Sequence, residues 1–153
     1  MLYRSILVAA LGTVVLGIST PAQVVINEVC ADNVSTLSPG GTHPDYIEIY
    51  NAGTAAVSLN GWTLTDDLTV KTKYAFPGTT SIGAKGRLIV WLDTVTNYPG
   101  LIATNFSLRV SGEEVGLFQG TTKKDSVAFG PQITDKVLCR VPDGSNKIGR
   151  AHV

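Results

Sequence analysis

Beyond residue 23, apolar and polar positions alternate with a period of two in several short stretches, and no stretch there repeats at helical spacing. In Asp45-Tyr46-Ile47-Glu48-Ile49-Tyr50-Asn51 the two isoleucines alternate with Tyr46, Glu48 and Tyr50, as in a strand with one buried face. The same reading predicts strands over 24–31, 46–50, 56–59, 62–65, 73–76, 87–92, 114–119, 126–129 and 136–141. Turn-forming clusters separate them at Ser38-Pro39-Gly40-Gly41, Asn51-Ala52-Gly53, Pro77-Gly78, Tyr98-Pro99-Gly100 and Gly130-Pro131, and Asn60-Gly61 is a strong hairpin signal. Segment 87–92 is continuously apolar after Arg87, which predicts a central strand covered on both faces. Trp62 and Trp91 fall within strand patterns and are assigned to the core. Tyr46 and Tyr50 are expected to face outward or to cover a sheet edge.

The two ends of the chain read differently. Residues 1–22 carry a single charge, Arg4, then an apolar run over 6–18 and the small residues Ser19-Thr20-Pro21-Ala22, the pattern of a secretory signal cleaved near Ala22. The run is shorter than the roughly 20 residues a bilayer-spanning helix needs, so no membrane span is expected after signal removal. The last six residues, Ile148-Gly149-Arg150-Ala151-His152-Val153, can be encoded as ATC GGA AGA GCA CAC GTC, which resembles a sequencing adapter read in one frame. Residues 148–153 are therefore expected to be a non-native tail, and the domain over 23–147 to lack its final strand. An ordinary polar tail is the alternative.

Four segments, in this order and spacing, resemble the lamin tail domain of secreted bacterial proteins: Ile26-Asn27-Glu28-Val29, Asp45 to Asn51, Gly61-Trp62-Thr63-Leu64-Thr65-Asp66-Asp67, and Arg140-Val141-Pro142-Asp143-Gly144. The resemblance implies an all-β, immunoglobulin-like β-sandwich. It implies no particular ligand, because sandwiches of this kind host many functions.

Charge and cysteine content narrow the picture. Without Arg4, eleven basic residues stand against twelve acidic ones, which argues against a nucleic-acid partner held by bulk electrostatics. The two cysteines, Cys30 and Cys139, lie in the first and last predicted strands. They either form a disulfide, which would stabilise by about 4.7 kcal/mol for a loop of about 100 residues in the chain-entropy model, or remain two buried thiols.

Glu28, Asp32, Asp45 and Glu48 are candidate oxygen ligands for Ca²⁺ if they converge at one end of the sandwich. Otherwise they cap turns and solvate a sheet edge. Asp66-Asp67 is assigned to turn chemistry. His43 sits alone in a loop before Pro44, no Gly-x-Ser-x-Gly elbow occurs, and no zinc spacing is present, so catalysis is not expected of this segment. Lys123 and Lys124, with Lys71, Lys73, Lys85 and Arg87, form the best candidate polyanion site; scattered solvated lysines are the alternative. Asn33-Val34-Ser35 and Asn105-Phe106-Ser107 match the glycosylation acceptor pattern and are expected to be unmodified. The functional expectation is a secreted, non-catalytic module for adhesion, tethering or targeting, with a protein or a cell-surface polymer as partner. The competing expectation is the N-terminal accessory domain of a larger extracellular hydrolase.

Overall fold

The computed structural model describes residues 23–94 and 98–150. The predicted signal and the terminal residues 151–153, His152 among them, lie outside the described residues. Every regular element described is a strand, and the architecture is an immunoglobulin-like β-sandwich. One sheet has six strands in the order β12-β11-β1-β2-β7-β8: Ile148–Arg150, Leu138–Arg140, Val24–Cys30, Asp45–Asn51, Arg87–Leu92 and Ala103–Thr104. The facing sheet has the order β10-β9-β4-β5: Thr122–Phe129, Glu113–Gln119, Trp62–Thr65 and Tyr74–Ala75. A small ribbon pairs β3 (Val57–Ser58) with β6 (Ser81–Ile82). Among the described residues no helix is long and apolar enough to cross a membrane.

The main core lies between the sheets. Ile26, Val29, Ile47, Ile49, Val90 and Leu92 meet Trp62, Leu64, Val115, Leu117 and Val127 there, as the period of two requires. A second apolar layer covers the outer face of the six-stranded sheet, where Tyr46, Trp91, Tyr98, Cys30, Val137 and Cys139 pack together. Tyr46 meets Trp91 edge to face with ring centroids 5.9 Å apart. Both tryptophans are buried as expected, but in different layers. Tyr46 and Tyr50 are buried as well, contrary to expectation, because loop residues cover the face they occupy; Thr42 hydrogen-bonds Tyr98 across it at 3.1 Å.

The loop between β4 and β5 folds back over the outer face of the four-stranded sheet. Thr63 Oγ1 donates to the Lys71 carbonyl at 2.6 Å, and Leu68 lies over Gly116 so closely that a Cβ there would come within 2.4 Å of it. Gly116 thus makes room for Leu68 and for the buried Phe118 ring. Asp67 accepts from Thr69 N and Oγ1 at 2.9 and 2.6 Å, the turn chemistry expected of it, while Asp66 pairs with Lys73.

Three strands escape the sequence reading. Strands β6 and β8 have only two residues each, too short to show a period. Strand β12 lies in the tail predicted to be non-native, yet Ile148 pairs with Arg140 and Gly149 with Cys139, so this segment forms an edge of the larger sheet. Strand β7 is covered on both faces toward its end but is not central. It pairs along its whole length with β2 and with β8 only at Trp91 and Leu92.

Candidate functional site

The motif residues collect on the outer face of the six-stranded sheet. Antiparallel pairing sets Glu28 opposite both Glu48 on β2 and Cys139 on β11, and Glu48 opposite Ile89 on β7. Asn27 is the extra residue of a β-bulge between Ile26 and Glu28, and the bulge turns its side chain toward its neighbours. Asn27 is fully buried. Its Nδ2 donates to Glu48 Oε1 at 2.8 Å and to Asp143 Oδ1 at 3.0 Å, and its Oδ1 accepts from Gly144 N at 3.0 Å. Arg87 pairs with Asp143, approaches Glu48 Oε1 at 3.4 Å, and lies over the Tyr50 ring at 5.3 Å. Gly144 has a φ of 71° and would bring a Cβ to 3.2 Å from the same ring, so a small residue with left-handed freedom is needed there.

Three carboxylates thus face one guanidinium. Burial pushes the Glu28 carboxyl above its ordinary value, and the Glu48 and Asp143 charges push the same way against Arg87. Burial also raises Glu48, while the Asn27 hydrogen bond and Arg87 hold it down. Two raised carboxyls side by side are a pattern that acid–base catalysis can use. Here Glu48 is nine-tenths buried and its oxygen is already occupied by Asn27, so this carboxylate ties β2 to β1, while Glu28 beside it is half-buried.

The four predicted Ca²⁺ ligands do not converge. Glu28 and Glu48 adjoin on the outer face. Asp45 turns to the other side of the sheet, where its Oδ2 accepts from Leu108 N at 3.0 Å, and Asp32 accepts from Thr134 Oγ1 at 2.6 Å in a loop. The strand period of two and the β1–β2 register separate them. Among the described residues no group of three or more His, Cys, Asp or Glu side chains is arranged to hold a metal ion.

Cys30 and Cys139 are free, buried thiols. Cys139 stands opposite Glu28, so Cys30 is its diagonal neighbour. Diagonal Cα atoms lie about 7–8 Å apart, beyond disulfide reach without backbone movement. Burial pushes the Cys30 thiol up to about 11, which makes it a poor nucleophile at neutral pH.

Two of the basic residues meet at Phe118 on the outer face of the smaller sheet, Lys71 over its ring and Lys123 opposite it in register, and the others are dispersed. Lys124 lies over Trp62 at 5.7 Å, Lys71 over Phe118 at 5.7 Å, Lys73 pairs with Asp66, and Lys85 Nζ donates to the Ala52 carbonyl. Lys123 is exposed and sits opposite Phe118 on the outer face of the smaller sheet, while Arg87 belongs to the acidic network on the other sheet. His43 is exposed, with Nδ1 3.1 Å from the Leu37 carbonyl. Asn33 donates its amide to the Leu37 and Pro44 carbonyls at 2.8 and 2.7 Å, so a glycan could not attach without breaking the loop; Asn105 is exposed.

Two structural groupings were not anticipated, although Arg140 itself lies in one of the four resembling segments. Asp135, at a φ of 56°, accepts from Val34 N, Ser35 N, Ser35 Oγ and Thr36 Oγ1, four bonds that hold its carboxyl far below the usual range. Arg140 reaches between the sheets to Asp125 at 2.9 Å and to the Ile26 carbonyl at 2.8 Å.

The Lamin Tail Domain family profile matches residues 18–131. The chain belongs to the lamin tail domain family. Its matched region holds Asn27, Glu48 and Arg87 but ends before Asp143 and Gly144, which the lamin tail domain here recruits through the Asn27 amide. No curated protein matches the chain.

Proposed function

We propose that this lamin tail domain is a secreted, non-catalytic module for adhesion, tethering or targeting, acting at the cell surface or outside the cell on a protein or a surface polymer. One observation carries the reading: the polar residues of the family motifs are spent on the fold. Asn27, Glu48 and Asp143 bind one another, Asp67 closes a turn, and Arg140 closes the seam between the sheets. A domain built this way offers stable surfaces, and the signal pattern of residues 1–22 supports export to a place where such surfaces find partners.

The test is retention. The full chain, fused at its C-terminus to a fluorescent protein and produced with its own residues 1–22, is expected in the culture medium and bound to intact cells or isolated envelopes. A fusion that stays inside the producing cell, or washes from envelopes as readily as the fluorescent protein alone, contradicts the reading. Hydrolysis of envelope polymer by the purified chain would favour an enzyme instead.

A further inference from the structure

The Asn60-Gly61 pair, a hairpin signal in the sequence, joins β3 to β4, which lie in different sheets. It forms the centre of a turn closed by Trp62 N, which donates to the Leu59 carbonyl at 2.9 Å. Gly61 has a φ of 75°, as the third residue of a type II turn requires. Both residues are exposed, and a Cβ on Gly61 would meet nothing within 4 Å. Among the described residues, neither the Gly61 N–H nor the Asn60 side-chain amide has a hydrogen-bond partner.

An asparagine followed by glycine carries its own nucleophile. The glycine nitrogen can close on the side-chain carbonyl carbon when neither group is held and no Cβ blocks the approach. No other asparagine in the chain precedes a glycine, and the single Asp-Gly pair is Asp143-Gly144. That pair is held at both ends: Gly144 N donates to Asn27 Oδ1 at 3.0 Å, and Asp143 accepts from Asn27 Nδ2 and pairs with Arg87. The fold therefore locks one of the two pairs able to form a succinimide and leaves the other free.

We propose that Asn60 is a modification site at which the folded chain deamidates without an enzyme. The Gly61 nitrogen forms a bond to Asn60 Cγ, the bond from Cγ to the amide nitrogen breaks, and ammonia leaves with the proton from Gly61. Attack requires rotation about the Asn60 Cα–C bond, which an exposed turn permits. One water then opens the succinimide: at Cγ it gives aspartate, and at the main-chain carbonyl carbon it gives isoaspartate, with the chain rerouted through the side chain. Either product adds a negative charge just before β4. Isoaspartate also lengthens the main chain by a methylene and displaces Gly61, whose carbonyl accepts from Gly120 N in the β9–β10 turn at 3.0 Å. The junction of β3, β4 and that turn thus loosens as the chain ages.

The experiment ages the purified full chain in neutral buffer below its Tm, digests it in acid, and reads the Asn60 peptide by mass. In the native chain the amide is expected to become a carboxyl, faster in mild alkali than at neutrality, and protein isoaspartyl methyltransferase should label that peptide. Asn60→Gln, which must close a larger ring, should lose both signals there. The Asp143-Gly144 peptide should stay unlabelled in the native chain and gain label in denaturant. A native chain that keeps its Asn60 amide, label that persists on this peptide in Asn60→Gln, or equal labelling at Asp143 in the native chain would each overturn the proposal. If the variant fails to fold, the mass change in the native parent decides.

Discussion

At the scale of single residues, Arg140 is the most exacting side chain in the molecule. It projects from β11 into the space between the sheets and spends its guanidinium on Asp125, on the Ile26 carbonyl and on the Ser145 carbonyl. Asp125 also accepts from Ile26 N at 2.8 Å, so one ion pair ties β10 to β1 across the seam. Burial still raises the Asp125 carboxyl, which means that desolvation outweighs the help from Arg140. Arg140→Ala leaves that carboxylate buried and unpaired and should cost about 3–5 kcal/mol in denaturant unfolding, with part of the loss recovered in the Asp125→Ala, Arg140→Ala double variant. None of this was visible in the sequence. Asp125 is turned inward by a bulge between Lys123 and Asp125, and an irregularity of one residue has no signature in an alternating pattern.

At the scale of elements, the outer face of β1, β2 and β7 carries its charge in a way that pH should expose. Glu28 and Glu48 are raised above their ordinary value of 4.5, so the folded chain holds its protons more tightly than the unfolded one. Stability therefore falls as pH rises through the window above 4.5 and is regained on acidification. Asp135 works in the opposite sense: its carboxyl is lowered from 3.8, and its contribution is lost as pH falls through the lowered value. Thermal unfolding should show a higher Tm on the acid side of neutrality than at pH 7, then a decline below 3.8. The long strands were legible because each alternates or is uniformly apolar over four residues or more. Strand β12 was not read as a strand because three residues are too few to show a period, and its pairing beside β11 appears only in the fold. The placement of Glu28 and Glu48 on one face, with Asp45 on the other, depends on the register and on the bulge at Asn27, and sequence order alone does not supply either.

At the scale of the whole molecule, three of the four separated motifs meet at one point, together with Arg87. The bulged Asn27 of β1 joins Glu48 of β2 to the Asp143–Gly144 turn, which follows a cis Val141–Pro142 bond, and Arg87 of β7 closes the ring. The family resemblance was readable because these residues keep a fixed order; their shared purpose was not, since it appears only when strands 116 residues apart are brought together. The same geometry divides the oxygen ligands once expected to bind Ca²⁺, so a chelator should leave the Tm of the purified chain unchanged. A fall in Tm on chelation, restored by added Ca²⁺, would show that a cation holds the loops.

The most direct test of the account is a double-mutant cycle between Asn27 and Asp143. Denaturant unfolding of the parent chain, Asn27→Ala, Asp143→Ala and the double variant gives their coupling. If the motifs exist to lock the last strands onto the sheet, Asn27→Ala should cost about 1–3 kcal/mol, since it strands Glu48 and the Gly144 N–H, and the coupling to Asp143 should be about 1 kcal/mol or more. Losses that add to within about 0.5 kcal/mol, or an Asn27→Ala chain as stable as the parent, would contradict it.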